Sequence, residues 1–489
     1  MIVDTKRMKQ IEKDSLVPVS GLMFSAGSAA ADAIRKYVNH DDRILVLMGS
    51  GNNGGDGAVI CRLLCEDAYS CRIMPVCGKP KTEAASEAFS KVSRKAVVKA
   101  DAFDEVLKET DVIIDAVYGF GYHGELKPEI RKLFQKINSS SARVFSIDIN
   151  SGAEADTGVY DRDALISQIT FALDCYKPFH MLRRDHRLFK KAELLDLGLP
   201  HNVRTQFHEM NEQIFFSRYP KRSENAYKGT YGKTMVCGGC YGMAGAVILN
   251  ITGAKTVGAP YIEAVLPESI YPIAAMKHTT AVFHPFGHNT AETVVSDAAA
   301  HAKAAAFGSG AVYMDRKREC MDLILQKSNG PVVLDAEALR MFVHNTYLLR
   351  FVRCPVILTP HIGEFAALIN KPAEAIMKHR LEYAVSFAQE HKVFLVLKGP
   401  DTIAVSPGGE IYINQSGNPA LAQAGSGDLL TGMIAAMCTL NPDVFEAVMM
   451  AVWLHGYLAD IGRETYAAET FDLESYPALM NRLLKKHGY

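Results

Sequence analysis

The stretch that decides the fold is NQSGNPALAQAGSGDLLTGMIAA, which runs from Asn414 to Ala436. It begins polar, becomes glycine-rich at Gly425 and Gly427, places one carboxylate at Asp428, and continues as an apolar helix. Glycine lets the backbone approach a ligand closely, and the first N–H groups of a helix lack internal partners and attract anions. The pattern predicts a phosphate site beside a carboxylate that takes a proton from a hydroxyl group. The plainer interpretation is an ordinary helix start with an N-terminal acid.

Length and composition narrow the class of protein. The 489 residues predict two to four domains, and 53 basic against 54 acidic side chains give a net charge of −1, which predicts no binding to nucleic acid or to an anionic membrane. The N-terminal residues lack an apolar signal-peptide core, and no run approaches the roughly 18 apolar residues of a membrane span. Ten cysteines without a disulfide framework indicate free thiols and a cytoplasmic protein.

The first half of the chain contains a strand, a glycine-rich loop and a helix in succession. Residues 43–48 (RILVLM) are typical of a strand buried on both faces, the string GSGNNGGDG follows at 49–57, and a helix is predicted from residue 58 to 67. No Lys-Ser/Thr follows the glycines, so this is not the phosphate loop of NTP-binding proteins. Oxygens suited to a hard cation or to ribose hydroxyls come from Asn52, Asn53 and Asp56.

Further polar residues follow the next predicted strands. Residues 119–124 (GFGYHG) match the dinucleotide fingerprint GxGxxG, with Asp148 at about the expected distance, although the next helix begins only near Pro128. Because the carboxyl ends of parallel strands share one sheet edge, Asn53, Asp115 and Ser151 are predicted to converge on one ion. Each of these residues taken alone is more typical of loop capping.

A second domain is predicted after residue 210, so that the chain divides into 1–210 and 211–489. Strands alternate with helices throughout, which predicts an α/β protein with two three-layer αβα domains. In the second domain polar loops again follow strands, at residues 308–310 (GSG), 359–364 (TPHIGE) and 398–402 (KGPDT), and Lys398 with the Gly399 backbone suits phosphate contact. Together with residues 425–428 they predict a nucleotide site with a second ligand beside it.

These motifs, taken in their order along one chain, resemble the bifunctional NAD(P)H-hydrate repair enzymes. The most specific pieces are GNNGGDG (51–57), DINSGAEADTG (148–158), KGTYGK (228–233), TPHIGE (359–364), LKGPDT (397–402) and GSGDLLTG (425–432). The resemblance implies a Rossmann-like NAD(P)HX epimerase domain fused to a ribokinase-like, ADP-dependent (S)-NAD(P)H-hydrate dehydratase domain. It also implies NAD(P)H hydrate and a nucleotide, ADP or ATP, as substrates, with Mg²⁺ and K⁺, and we expect a homo-oligomer.

The resemblance assigns roles to residues by position. Asp428 and Asp148 would be the catalytic residues of the dehydratase and the epimerase. The epimerase substrate would contact Asn52, Asn53, Gly54, Gly55, Asp56, Gly119, Phe120, Gly121, Tyr122, His123, Gly124, Glu125 and Asp148. Potassium would bind Asn53, Asp115 and Ser151. The hydrate would face Ala244, Gly310, His361 and Asp428 in the dehydratase. The nucleotide would contact Lys398, Gly399, Pro400, Asp401, Thr402 and Gly427.

Some positions depart from the family pattern, and three other functions stay open. The departures are Phe24, Ser50, Asn150, Ser309 and Glu337. A ribokinase-like kinase acting on a vitamin precursor would release a phosphorylated product instead of free phosphate. A Rossmann oxidoreductase would act on a separate substrate with intact NAD. In a non-catalytic fusion, the N-terminal domain would only recruit a partner.

Overall fold

The computed structural model describes residues 1–182 and 187–489, which divide into two compact units, Met1–Phe207 and His208–Tyr489. Each unit is built on a largely parallel sheet flanked by helices. The central strands are short runs of aliphatic residues without solvent exposure, such as Ile44–Met48. Such runs form strands because both of their faces are covered by helices.

The first unit contains a six-stranded parallel sheet. Its strands are β1 (Arg43–Met48), β2 (Ser70–Pro75), β3 (Val112–Ala116), β4 (Arg143–Ile147), β5 (Ser167–Leu173) and β6 (Phe189–Leu195). Its described α-helices are Thr5–Asp14, Val19–Arg35, Asn52–Glu66, Glu83–Ser90, Phe103–Glu109, Pro128–Asn138 and Pro178–Met181. The strand order is β2-β1-β3-β4-β5-β6. The chain passes from β1 to β2 on one side and from β3 to β4 on the other, so the strand order reverses between β1 and β3. Ligands bind at such a switch point.

The glycine-rich segment after β1 differs from its prediction. We expected a loop over 49–57 and a helix from residue 58, but the helix begins at Asn52. The glycines permit close packing: a Cβ on Gly54 would lie 2.0 Å from the Gly49 carbonyl oxygen, and one on Gly57 would lie 2.6 Å from the Ala116 Cβ. The glycines therefore do not form a flexible loop. They allow the N-terminus of a helix to pack closely against the end of β1 and against β3.

The second unit contains a larger sheet with the order β10-β9-β8-β11-β12-β13-β14-β15-β16-β7. Its strands are β7 (Phe207–His208), β8 (Thr234–Cys237), β9 (Ile262–Pro267), β10 (Val282–Phe286), β11 (Ala304–Phe307), β12 (Val332–Leu334), β13 (Val356–Leu358), β14 (Phe394–Leu397), β15 (Ile403–Val405) and β16 (Ile411–Ile413). Pairing is parallel from β10 to β14 and antiparallel at β15 and β16. The switch point lies between β8 and β11.

Helices cover this sheet, and two of them position its switch point. The α-helices are Glu212–Arg218, Ala244–Thr256, Tyr271–Lys277, Ala291–His301, Lys317–Lys327, Glu337–Arg340, Ile362–Ile369, Ala373–Lys378, Arg380–His391, Ser426–Leu440, Val444–Gly462 and Tyr476–Lys486. Helices Ala244–Thr256 and Ser426–Leu440 meet through glycines: a Cβ on Gly432 would lie 2.0 Å from the Asn250 carbonyl oxygen. Their backbones therefore touch, which fixes the start of the second helix against the sheet.

Several elements differ from the sequence predictions. The charged, histidine-rich composition of residues 183–216 predicts less regular structure; this segment begins at residues outside the described ones, and its residues 189–195 form β6. Strands β10, β15 and β16 and the helix Tyr476–Lys486 were not predicted. Helix Val444–Gly462 is long and apolar enough to cross a membrane, contrary to the expectation that no such run exists. Most of this helix is buried in the core of the second unit.

The glycine contact between the two helices has a testable energetic consequence. In Gly253→Ala the new Cβ would lie 2.1 Å from the Leu429 carbonyl oxygen, so we expect a loss of about 1–3 kcal/mol in unfolding free energy. Urea unfolding followed by the fluorescence of Trp453, the single tryptophan, reports on this unit. Gly245→Ala, in the same helix but with open space around the new Cβ, is the control and should not destabilise. Equal stability of the two variants would contradict the packing argument.

Candidate active sites

The first site is built around Asp148, the residue that follows β4. Asp148 is buried and adopts a left-handed conformation with φ of 63°, which is uncommon for a residue other than glycine. This conformation directs the carboxylate toward the loop that contains Phe120 and toward Lys177, which follows β5. Its Oδ1 accepts a hydrogen bond from Lys177 Nζ (2.6 Å), and its Oδ2 accepts one from the Phe120 backbone N–H (3.0 Å). The structure thus links Asp148 to the predicted GFGYHG loop.

Lys177 and His180, which the sequence analysis did not assign to the site, hold Asp148 in place. Lys177 is completely buried, and its ammonium group also donates to the Leu173 carbonyl oxygen (2.9 Å). His180 Nδ1 accepts from the Lys177 backbone N–H (2.9 Å), so in the neutral ring Nε2 bears the proton and donates to the Asp148 carbonyl oxygen (2.7 Å). The buried carboxylate therefore has a charged partner and a fixed backbone.

A cavity of about 900 Å³ opens beside Asp148 and Lys177. Burial, with the charges of Asp148 and Glu12, raises the pKa of Asp56 well above its usual value. Burial and the charge of Asp148 also raise the pKa of Glu12, which the sequence analysis did not single out. A volume of this size is in the range of small-molecule and cofactor sites. Three carboxyl groups and one buried ammonium group thus offer proton donors and acceptors to a ligand there.

The structure places the predicted epimerase residues unevenly around this cavity. The predicted residues that line it are Asn52, Asn53, Asp56, Gly119, Phe120, Gly121, Tyr122 and Asp148. Gly54 and Gly55 are buried in the helix, where a Cβ on Gly55 would lie 2.4 Å from Met23 Sδ. The side chains of His123 and Glu125 are 64% and 92% exposed, and a Cβ on Gly124 would meet open space. These three residues lie toward solvent.

The predicted ion ligands form two groups that lie near each other. Asp115 is fully buried and accepts from Ser151 Oγ (2.5 Å), Ser151 N (2.9 Å) and Ser146 Oγ (2.9 Å). Burial raises the pKa of Asp115, and the hydrogen bonds oppose this effect. Asn53 Nδ2 contacts the Ile147 carbonyl oxygen at 3.4 Å, while Asn53 Oδ1 is buried without a hydrogen-bond partner among the described residues. That oxygen remains available to a cation.

The second site is built around Asp428, at the switch point of the larger sheet. Helix Ser426–Leu440 begins after Gly425, whose φ is 92° and which has no side chain to cap the first N–H groups of the helix. Asn250 Nδ2 donates to the Asp428 carbonyl oxygen (2.7 Å) and to Ser309 Oγ (3.1 Å). Burial and the charge of Asp335 raise the pKa of Asp428 to about 6, while the hydrogen bond from Ser309 and the charge of Lys398 oppose the rise. A carboxyl group with a pKa near 6 is suited to accept a proton near neutral pH.

Lys398, a predicted phosphate contact, is paired with a carboxylate. Its Nζ donates to Asp335 Oδ1 (2.8 Å), and Asp335 Oδ2 accepts from Thr431 Oγ1 (3.0 Å). Burial alone would lower the pKa of Lys398, but Asp335 raises it. A Cβ on Gly427 would lie 3.2 Å from Lys398 Nζ, so glycine leaves room beside the ammonium group. An ammonium group has three N–H donors, so Lys398 can still donate to a phosphate while it is paired with Asp335.

The remaining predicted residues lie on turns near this edge. His361 is exposed and caps helix Ile362–Ile369, with Nδ1 accepting from Gly363 N (3.0 Å). Gly310 has a φ of 65°, and a Cβ there would lie 2.7 Å from Ala246 Cβ and 2.8 Å from the Met243 carbonyl oxygen, just before Ala244 opens its helix. In the turn 398–402, Thr402 Oγ1 donates to the Gly399 carbonyl oxygen (2.9 Å), and Gly399 and Pro400 are exposed. Asp401 is buried and its carbonyl oxygen accepts from Arg380 (3.0 Å).

Family models match both units. The model described as YjeF-related protein N-terminus matches residues 19–179, and the model described as NAD(P)H-hydrate dehydratase matches residues 234–476. The bifunctional NAD(P)H-hydrate repair enzyme Nnr of Moorella thermoacetica is 30% identical, covering 94% of this chain and 92% of its own length. The ADP-dependent (S)-NAD(P)H-hydrate dehydratase of Bacillus subtilis is 33% identical over 55% of this chain and 94% of its own.

A solved structure resembles the second unit. The crystal structure of the ADP/ATP-dependent NAD(P)H-hydrate dehydratase from Bacillus subtilis, co-crystallised with ATP and Mg²⁺, aligns with a TM-score of 0.51 at 32% identity. The alignment covers 56% of this chain and 97% of that chain.

The buried pair in the first site gives a second prediction. Lys177→Met leaves the Asp148 carboxylate buried without its ion pair, so we expect a loss of about 3–5 kcal/mol in unfolding free energy, measured by circular dichroism in urea. The double variant Asp148→Asn/Lys177→Met removes both charges and should regain most of that loss. Lys136→Met, which breaks the exposed pair with Asp104, is the control and should cost less than about 1 kcal/mol. A loss in Lys177→Met no larger than that of the control would contradict the assignment.

Proposed function

Because this chain belongs to the family of bifunctional NAD(P)H-hydrate repair enzymes, we propose that it returns both epimers of hydrated NAD(P)H to NAD(P)H. The first unit interconverts the R and S epimers, and the second dehydrates the S epimer with consumption of ADP. The observation that carries the second activity is the carboxylate of Asp428, with a pKa of about 6, three residues into a helix that follows Gly425, a residue without a capping side chain. The first N–H groups of this helix suit a phosphate, and the carboxylate suits a hydroxyl beside it.

In the dehydratase, Asp428 accepts the proton of the hydrate's hydroxyl group as that oxygen attacks the β-phosphorus of ADP. The new O–P bond replaces the bridging O–P bond, so AMP leaves. The carbon–oxygen bond of the phosphorylated hydrate then breaks, inorganic phosphate departs, and loss of the neighbouring ring proton restores the double bond. Phosphate is a far better leaving group than hydroxide, which is the use of the nucleotide in this reaction. Lys398 and the start of helix Ser426–Leu440 orient the phosphates.

Magnesium fits this site by charge. The negative charges of Asp335 and Glu364 raise the pKa of Asp428, and the positive charge of Lys398 opposes that rise. The phosphates of a nucleotide would add further negative charge, which a divalent cation held by one or two carboxylates and the phosphates would balance. When bound, Mg²⁺ neutralises charge that develops during phosphoryl transfer.

In the epimerase, Asp148 is the proposed acid/base, and Lys177 and His180 hold it at the cavity wall. The hydroxyl group leaves with assistance from the ring nitrogen and returns to the opposite face. Potassium fits the buried Asn53 Oδ1, which has no hydrogen-bond partner among the described residues, together with the oxygens of Asp115 and Ser151. The ion would fix the first turn of helix Asn52–Glu66 at the cavity. A cytoplasmic location and a homo-oligomer remain predictions from the sequence.

One variant in each unit distinguishes the two activities. With mixed NADPHX epimers, ADP and Mg²⁺, the unaltered enzyme should consume both epimers as NADPH absorbance recovers. Asp428→Asn should slow recovery about 10²–10⁴-fold, the usual cost of losing a general base, while the epimers still interconvert. Asp148→Asn should consume the S epimer and leave R to its slow spontaneous interconversion. A fully active Asp428→Asn enzyme, or a phosphorylated product that accumulates as a kinase would make it, would contradict the proposed reaction.

The dehydratase should also depend on pH through Asp428. The carboxyl must be ionised to accept a proton, and its pKa is raised to about 6, so kcat/KM should fall about tenfold per pH unit below that value. Initial rates with pure S-NADPHX between about pH 5 and 8 give this profile. Asp428→Asn is the matched control, because its residual rate should not show this fall at low pH. A profile that stays level across the range would rule out Asp428 as the base.

A further inference from the structure

Three metal-binding side chains of the first unit converge outside the residues assigned above. Asp174 and Cys175 follow β5, and His201 comes from the segment after β6. Cys175 Sγ lies 3.5 Å from Asp174 Oδ2 and 3.7 Å from His201 Nε2, and His201 Nε2 lies 2.8 Å from Asp174 Oδ2. One carboxylate oxygen, one sulfur and one imidazole nitrogen therefore face a common point.

The backbone explains how two consecutive residues reach that point. Neighbouring side chains of an extended strand point to opposite faces, but Asp174 has a φ of 59°. The Asp174 N–H donates to the Leu195 carbonyl oxygen (2.8 Å) and the Cys175 N–H to the Leu173 carbonyl oxygen (2.7 Å), which fixes the turn. Left-handed residues other than glycine are uncommon and concentrate at functional sites.

We propose that Asp174, Cys175 and His201 form a zinc-binding site. Tetrahedral zinc, with bonds of about 2.3 Å to sulfur and about 2.0–2.1 Å to nitrogen and oxygen, sets its ligand atoms about 3.3–3.6 Å apart. Two of the three observed separations lie close to that range, and only the His201–Asp174 separation must widen, by about half an ångström. A neutral imidazole, a thiolate and a carboxylate are ligands that zinc prefers.

Burial and charge support a divalent cation. Asp174 is 2% exposed, and its Oδ1 is buried without a hydrogen-bond partner among the described residues. A thiolate and a carboxylate together offset the two charges of Zn²⁺, so the occupied site adds no uncompensated charge to the interior. The side chain of His201 is 33% exposed, which leaves a route for the ion and for a water molecule as fourth ligand.

Two plainer interpretations compete with this site. A histidine–aspartate ion pair beside a buried thiol accounts for the same contacts of Asp174 Oδ2 without a metal, so zinc binding itself must be measured. A second group, Cys61, Cys65 and Cys71, also places three thiols within 4.8 Å of one another and could take the same metal. In that group the Cys65 thiol already donates to the Cys71 carbonyl oxygen (3.3 Å). The experiment must therefore distinguish the two groups.

The test is metal binding by the full chain, stripped with a chelator and kept reduced and oxygen-free. Zinc affinity is measured by competition with a chromogenic chelator, and Co²⁺ serves as a spectroscopic substitute. Loss of a residue that hydrogen-bonds to a metal ligand already costs about 10–100-fold in metal affinity, so losing the ligand itself in His201→Ala should weaken zinc binding by more than about 100-fold. Cys175→Ser should abolish the thiolate-to-cobalt charge-transfer band of this site.

Cys65→Ser, which alters only the competing thiol group, is the matched control and should keep both the affinity and the band. His201 is partly exposed, so His201→Ala should fold normally even if a change at buried Cys175 does not. Failure of the unaltered protein to bind zinc, unchanged affinity in His201→Ala, or a loss that follows Cys65→Ser instead would overturn the proposal. Because the readout is metal binding, the result is independent of the epimerase and dehydratase assays.

Discussion

The constraint on which both sites depend is the cost of burying a carboxylate at the edge of a parallel sheet. Each unit meets it with a lysine: Lys177 Nζ lies 2.6 Å from Asp148, and Lys398 Nζ lies 2.8 Å from Asp335. Either charge alone would be strongly destabilising in the interior, whereas the pair is tolerated. Polar groups can therefore stand at a buried sheet edge, where electrostatic interactions are stronger than in water.

Much of the fold follows from the sequence because the central strands are short aliphatic runs between turn residues. β1 has the predicted bounds, residues 43–48. Strand β10, at one edge, and the antiparallel strands β15 and β16 were missed, since β-propensity depends strongly on the neighbouring strands. The glycines of residues 49–57 were read as a loop because composition does not distinguish flexibility from close packing, and only the backbone separations do.

The sites were predictable to the extent that their residues follow strands. Asp148 follows β4 and Asp115 lies near the end of β3, whereas Asp428 is marked by the glycines at the start of its helix; the family resemblance supplied their roles. Asp335 and Lys177 also follow strands, so the same rule would have indicated them, but a single charged residue there carries little information by itself. Glu12, Asn250 and His180 lie within helices, and nothing local marks them. Their importance arises from tertiary contacts that no sequence spacing specifies.

The double contact of Asn250 with the Ser309 hydroxyl and the Asp428 carbonyl has a further consequence. The Asn250 amide links the turn after β11 to the start of helix Ser426–Leu440. Close backbone contacts at Gly253 and Gly432 hold this helix against helix Ala244–Thr256. These buried contacts therefore hold the base of the second site in place, and adaptation to ligands of different shape falls to the exposed turns around His361 and Gly399. Substitutions that alter selectivity, whether evolved or engineered, should therefore accumulate in those exposed turns and leave the buried contacts unchanged.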